Sequence, residues 1–162
     1  MNAPSKFALI FASLALAVPQ GASAAEPNAK LWNGTWHLDA AKSKFASSAK
    51  EASETRTYDI SGKKVTMKSS SKNAAGKELN FSYTAGYDGK WYPMVGNPIG
   101  NRISLQLINP RHVRAKVRRD DRDTAVASVR VSTDGRRLTL NRTTLNARGT
   151  PIVDVLAYDK VR

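Results

Sequence analysis

The side chains best placed to bind a ligand in this sequence are two arginines that fall on an apolar strand phase. Arg56 lies in phase with Tyr58, and Arg142 lies in phase with Leu140. An arginine inside a protein needs an anionic partner, because an unpaired buried charge is costly. Two expectations stay open: each guanidinium anchors the anionic group of a ligand, or each is wet or paired with an acid at the mouth of the fold.

Aromatic side chains on the same inner phase are suited to form a wall around such a ligand. Leu79, Phe81 and Tyr83 alternate along one run, and a turn at Asp88-Gly89 sets Met94 opposite Tyr83. Residues in this pattern form either a filled core or the wall of a cavity. The predicted ligand-binding set is Arg56, Tyr58, Phe81, Tyr83, Tyr92 and Arg142.

Signatures of catalysis and of metal binding are missing from the sequence. There is no cysteine, and the two histidines, His37 and His112, belong to no His-Glu-x-x-His motif. The acidic residues at 120–123 lack the spacing of a calcium loop and are interpreted as a turn. We therefore predict a protein that is not an enzyme and that uses no cofactor and no metal.

Short strands are the elements that must position these residues. Beyond residue 54, alternating runs are separated by turn residues at regular intervals, a pattern typical of an antiparallel barrel or sandwich. A further strand at 33–38 gives about ten strands, and only residues 40–54 are predicted to be helical. The sequence predicts an all-β, antiparallel up-and-down barrel of about 8–10 strands with a short N-terminal helical segment. Residues 93–100 are predicted to be a loop, which with 40–54 forms either a flap over the barrel mouth or an ordinary connection.

The turns also predict which residues lie opposite each other, because the length of a turn fixes the register of its hairpin. Four registers are predicted in this way, in addition to that of Met94 with Tyr83. The predicted pairs are Arg56 with Met67, Leu105 with Ala115, Val129 with Leu140, and Leu140 with Val155, the last of which places Ile152, Leu156 and Tyr158 on the outer face.

The start of the first strand carries a family resemblance. Gly34-Thr35-Trp36 resembles the opening motif of the lipocalin and fatty-acid-binding barrels, the calycins. The resemblance implies that Trp36 plugs the closed end of a lipocalin-like barrel and that Lys160 or Arg162 packs on it. It also implies that a lumenal arginine holds a ligand carboxylate. Residues 34–38, 41–45, 87–93 and 96–98 are similar to a family of small exported bacterial proteins of uncharacterised function.

The first 24 residues read as an export signal. Lys6 precedes an apolar run at 7–18, and Ala22-Ser23-Ala24 offers the small-x-small pattern of a cleavage site. The run is too short to span a bilayer, which takes about 20 apolar residues. We predict a signal peptide at 1–24, one barrel domain at 25–162, no transmembrane segment, and a periplasmic or secreted protein after cleavage near Ala24. The alternative is a buried N-terminal helix.

The charge is strongly basic, with 26 Lys and Arg against 13 Asp and Glu. Such a surplus favours anionic partners, such as lipopolysaccharide, an anionic membrane surface or an anionic polymer. The alternative is a charged surface that only keeps the protein soluble. Few aromatic residues are interleaved with these cations, which argues against nucleic acid. The cations on the predicted outer phase are Arg102, Arg114, Lys116, Arg118 and Arg130.

These observations predict an exported, lipocalin-like protein that binds an apolar or anionic small molecule in the lumen of its barrel. The alternative is a basic surface-interaction protein that binds lipopolysaccharide or another polyanion through its outward Arg and Lys rows. A third interpretation, an enzyme or an enzyme inhibitor on the same scaffold, rests on analogy of fold alone.

Overall fold

A computed structural model describes residues 26–46, 51–146 and 148–161, and these residues form ten antiparallel strands and one short helix. The predicted signal peptide and Arg162 lie outside the described residues. Among the described helices there is none long and apolar enough to cross a membrane. The elements are α1 (Ala29–Trp32), β1 (Gly34–Lys44), β2 (Glu51–Ser61), β3 (Lys64–Asn73), β4 (Glu78–Gly86), β5 (Asp88–Val95), β6 (Arg102–Asn109), β7 (His112–Arg119), β8 (Arg122–Val131), β9 (Arg137–Leu145) and β10 (Pro151–Lys160).

Every strand pairs with its neighbour in the sequence, and β1 also pairs with β10, so the sheet closes into a barrel. The closing joint is visible at Trp36, which lies opposite Arg56 of β2 on one side and opposite Lys160 of β10 on the other. Closure removes the two edge strands that an open sheet would have. The predicted all-β up-and-down barrel is confirmed.

Three of the predicted hairpin registers are confirmed. Leu105 lies opposite Ala115, Val129 lies opposite Leu140, and Met94 lies opposite Tyr83. In each case an apolar residue meets another on the inner face, so turn chemistry and hydrophobic pattern specify the same pairing.

The predicted register of β2 with β3 is wrong by two residues. The turn is at Gly62-Lys63 rather than at Ser61-Gly62, and Gly62 has a φ of 56°. Glycine enters this left-handed region without the steric penalty of a side chain. Arg56 therefore lies opposite Ser69 instead of Met67. A shift of two residues keeps every side chain on its predicted face.

The predicted register of β9 with β10 is wrong by one residue, which reverses the faces of β10. The connection runs from Asn146 to Thr150, where the Asn146 side chain accepts the amide of Thr150 at 2.9 Å. Leu140 consequently lies opposite Leu156 instead of Val155. A slip of one residue moves a whole strand to its other face. Leu156 and Tyr158, predicted outside, are fully buried in the core.

The predicted helix at 40–54 is also wrong. Residues 40–44 complete β1, residues 51–54 begin β2, and the one short helix is instead α1. The segment is rich in Ala, Lys and Glu, which favour a helix, but it has no apolar stripe that a helix could bury, so pairing within the barrel decides the conformation of its described residues. Residues 47–50 lie outside the described residues.

One end of the barrel, here called the Trp36 end, is closed by α1. The Trp32 indole donates to the carbonyl of Pro110 at 2.9 Å, and the Trp36 indole donates to the carbonyl of Trp32 at 3.0 Å. Lys160 Nζ lies 5.1 Å from the Trp36 ring centroid, within cation–π range. The arrangement agrees with the calycin resemblance. Gly34 is needed beside it, because a Cβ there would lie 3.0 Å from Lys160 Cε at a φ of 125°.

Candidate ligand-binding site

A cavity of about 100 Å³ lies inside the barrel. Its wall contains several small side chains, Ala115, Ala125 and Ala127, where larger residues would fill the space. Most of the lining is apolar, and the polar groups come from β2, β3, β9 and the segment between β5 and β6. The lining residues are Glu54, Arg56, Tyr58, Met67, Ser71, Leu79, Phe81, Tyr83, Met94, Asn97, Ile99, Ile103, Ala115, Val117, Ala125, Ala127, Val129, Leu140 and Arg142.

Five of the six predicted ligand-binding residues line this cavity. The sixth, Tyr92, does not: its hydroxyl donates to Asp88 at 2.9 Å and lies where a Cβ on Gly86 would be. Tyr92 therefore belongs to the outside of the barrel near the β4–β5 turn. The five residues that the structure brings together are Arg56, Tyr58, Phe81, Tyr83 and Arg142.

A buried carboxylate, Glu54, is the centre of the polar part of the cavity wall. Its Oε1 accepts Arg56 Nε at 2.7 Å and the Ser69 hydroxyl at 2.6 Å, and its Oε2 accepts the Tyr158 hydroxyl at 2.6 Å. Glu54 is only 5% exposed. A buried charge is tolerated when it is paired and hydrogen-bonded, and Glu54 meets both conditions.

The Arg56 guanidinium lies between aromatic rings as well as beside Glu54. Its Cζ is 5.2 Å from the Tyr158 ring centroid and 5.8 Å from that of Phe81. Both distances are within the range of cation–π attraction. The positive charge is therefore held by one carboxylate and two ring faces before any ligand enters.

Arg142 has its own carboxylate partner. Arg142 Nη2 donates to Asp154 Oδ2 at 2.8 Å, and Asp154 is almost fully buried. The other carboxylate oxygen of Asp154 accepts the amide of Ala46 at 2.9 Å, which ties the end of β1 to β10. The two lumenal arginines and the two lumenal carboxylates thus balance each other in charge.

Neither carboxylate belongs to the predicted site, although the sequence holds a signal for one of them. Glu54 lies two residues before Arg56, so any extended conformation places both on one face. Assigning 40–54 to a helix hides that relation. Asp154 and Tyr158 fall on the predicted outer face only because of the one-residue slip in β10.

The pKa of Glu54 is lowered in the folded protein, and we expect this shift to make stability depend on pH. Burial by itself would raise the pKa, but the Arg56 charge and the hydrogen bonds from Ser69 and Tyr158 outweigh it. A carboxyl whose pKa is lower in the folded state adds stability above its unfolded pKa, and this stability is lost as the pH falls through the folded value. Urea unfolding from pH 7 to pH 2 should show the loss beginning below about pH 4.5.

The carboxyl groups of Asp39, Asp88 and Asp134 also have lowered pKa values and contribute to the same loss of stability at low pH. Glu54→Gln and Asp88→Asn separate the contributions. We expect Glu54→Gln to reduce the dependence of the unfolding free energy on pH at low pH more than Asp88→Asn does. Equal slopes for the two variants would show that Glu54 is not the dominant group.

A larger depression of about 810 Å³ lies outside the barrel at the Trp36 end. Lys30, Arg136 and Lys160 line it together with Asp134 and Asp159. The depression is a broad, charged part of the surface. The smaller lumenal cavity is the better candidate site because it lies within the barrel and is mostly apolar, as small-molecule sites usually are.

The cations predicted on the outer phase lie on the outside of the barrel. Arg102, Arg114, Lys116 and Arg130 are exposed. Arg118 is not free, because its guanidinium stacks on Trp91 at 3.7 Å and lies 3.6 Å and 3.5 Å from the carboxylates of Asp121 and Asp123.

The ten-strand closed barrel with one short helix is a calycin or lipocalin-like fold. One similar solved structure is the crystal structure of zebrafish ileal bile acid-binding protein complexed with cholic acid. The two chains are 12% identical with a TM-score of 0.55, and the alignment covers 81% of this chain and 99% of that chain. No protein-family model matches this chain, and no curated protein matches it. The likeness shows a shared fold, and the resemblance to small exported bacterial proteins stays a prediction.

Proposed function

We propose that this protein binds a small, mainly apolar and uncharged molecule inside its barrel. The observation that carries the proposal is the lumenal cavity of about 100 Å³, whose apolar wall is interrupted by the Glu54–Arg56 pair. Catalysis is not part of the proposal, since Glu54 is already paired with Arg56, and Arg142 is already paired with Asp154. The fold supports the proposal, because the similar solved structure is that of a binding protein.

The size of the cavity supports a compact ligand. An apolar cavity of about 150 Å³ is enough to bind benzene, whereas drug-sized ligands occupy pockets of roughly 300–1,000 Å³. At about 100 Å³, the lumen is smaller than that benzene-binding cavity, so a ligand with one ring requires small adjustments of flexible wall side chains such as Met67 and Met94. A molecule of the size of cholic acid would enter only if several side chains moved.

The charge balance of the lumen supports an uncharged ligand. Arg56 is paired with Glu54 and Arg142 with Asp154, so a ligand carboxylate would have to compete with a carboxylate that is already in place. Burying a further charge without a partner is costly. Both arginines therefore act on a ligand through polar contacts at the wall rather than as free anion anchors.

We expect benzyl alcohol to bind in the lumen about tenfold or more tightly than benzoate, a molecule of similar size that carries a charge. The two methionines of the described chain, Met67 and Met94, both line the cavity. Labelled methionine methyl groups therefore report occupancy directly in an NMR titration. Cholate is expected to leave both methyl signals unchanged.

A matched pair of variants tests the location. Ala127→Leu places a larger side chain in the cavity wall, and Ala75→Leu makes the same change on the exposed β3–β4 turn. Binding should be lost in the first variant and retained in the second. Benzoate binding as tightly as benzyl alcohol, or saturable binding that survives Ala127→Leu, would contradict the proposal.

We also propose that the protein acts in the periplasm or after secretion. The support is the pattern of Lys6, the apolar run at 7–18 and the small residues Ala22 and Ala24. Mass spectrometry of the protein recovered outside the cytoplasm tests the cleavage site near Ala24.

A further inference from the structure

An exposed apolar strip crosses the outer face of the barrel on β8, β9 and β10. Val126 lies opposite Thr143, and Thr143 lies opposite Val153, so the three form one row across adjacent strands. Leu145 follows Thr143 on the same face and lies opposite Pro151. Val126, Leu145 and Val153, the apolar strip, are 42%, 55% and 50% exposed. Contiguous exposed apolar side chains of this kind mark interaction surfaces.

Cations border the strip on both sides. On one side Lys116 of β7 lies directly opposite Val126, and Arg114 is its neighbour two residues along the same strand. On the other side Lys44 of β1 lies opposite Val155, the next outward residue after Val153. Paired residues on adjacent strands are about 5 Å apart, so cations and apolar side chains present one continuous surface.

Carboxylates are scarce on this surface. In β9 and in the part of β10 before Ala157, all of which the structure describes, the only carboxylate is that of Asp154. Asp154 points into the barrel and pairs with Arg142. The outer face therefore combines an apolar centre with a border rich in cations, and the exposed carboxylate of β8, Asp123, lies 3.5 Å from the Arg118 guanidinium.

We infer that this face docks on an anionic lipid bilayer surface. Anionic headgroups match the cationic border, and the interfacial region behind them accepts the apolar side chains. A second copy of the chain is a poorer partner, because a two-fold contact through the same strip would bring like cations together. A soluble anionic polymer would use the cations and leave the apolar strip without a role.

The absence of cysteine from the sequence allows a direct test. Val153→Cys gives a single site for an environment-sensitive fluorophore within the strip. Asn80→Cys gives a matched control. Asn80 is exposed on the outer face of β4, which is separated from β8–β10 by at least three strands in either direction around the barrel. With vesicles of phosphatidylglycerol and phosphatidylcholine, the label at 153 is expected to shift to the blue while the label at 80 does not. Vesicles of phosphatidylcholine alone should leave both labels unchanged.

Charge variants complete the test. Arg114→Gln with Lys116→Gln should weaken vesicle binding, measured from the label at 153, by roughly fivefold for each cation removed. Lys64→Gln with Lys68→Gln removes the same charge from exposed positions on β3 and should have little effect. Equal responses at 153 and 80 would overturn the inference, since they would show membrane contact without this face. Without vesicles, a blue shift of the label at 153 that grows with protein concentration would show that the strip contacts a second copy of the chain. That result would also overturn the inference. Binding of heparin without any shift at 153 on vesicles would replace the lipid with a polymer.

Discussion

Replacing Glu54 by leucine is expected to lower the free energy of unfolding by about 3–5 kcal/mol, because it leaves the Arg56 charge buried without its carboxylate. Arg56 is 6% exposed, so water cannot take over the role of Glu54 without a change in the barrel. Ser69 and Tyr158 would lose their acceptor in the same step. Since small domains have total stabilities of roughly 5–15 kcal/mol, this loss should be plain in urea unfolding.

The double variant Glu54→Leu with Arg56→Met is the control that separates charge from shape. Replacing both members of a buried pair by apolar residues of similar volume is often neutral. The double variant should therefore recover most of the stability that Glu54→Leu loses. A single variant that costs less than about 1 kcal/mol, or a double variant as unstable as the single one, would contradict the role of the pair.

Replacing Trp36 by alanine is expected to cost about 3–5 kcal/mol of unfolding free energy, the range for truncating a large buried aromatic side chain. The indole is fully buried, donates to the carbonyl of Trp32 and carries Lys160 on its face. Its loss would leave a void beneath α1 and a carbonyl without its donor. Thermal and urea unfolding followed by circular dichroism measure the change.

Trp91→Ala is the matched control for this variant. Trp91 is half-buried on the outside, where its ring carries the Arg118 guanidinium at 3.7 Å. A stack at such a partly exposed site is worth about 0.5–1 kcal/mol, and no core void is created. Equal losses for the two variants would show that Trp36 does not hold the end of the barrel together.

The barrel could be predicted from the sequence because the residues at its turns indicate where each strand ends and how long the turn is. Where a turn has a definite length, as at 109–111 and around Asp134-Gly135, the register follows and apolar residues meet. Where the length of a turn is ambiguous, the register of its hairpin cannot be deduced. The extra residue in the connection 146–150 changes the face of every β10 side chain, and no local signal in β10 itself decides between the two faces, since both carry apolar residues.

The cavity wall could be predicted in part for the same reason. Arg56, Phe81 and Tyr83 follow from strand alternation alone. Their polar partners are missed for two different reasons. Glu54 lies on the same strand as Arg56 but falls in the segment that the sequence assigns to a helix, whereas Tyr158 reaches Glu54 from β10. The contact between Tyr158 and Glu54 depends on the closed barrel, and the strand pattern of one segment carries no information about it.

The pairing of β1 with β10 also has a consequence for how the chain folds. Nine of the ten joints of the barrel are hairpins between consecutive strands, and these form from contacts close in sequence. The tenth brings Trp36 to Lys160, across nearly the whole barrel domain. Contacts at such separation carry the largest loop-closure entropy and slow folding. Until that joint forms, β1 and β10 both present open edges, so the interval before closure is when the nascent barrel is most prone to aggregate.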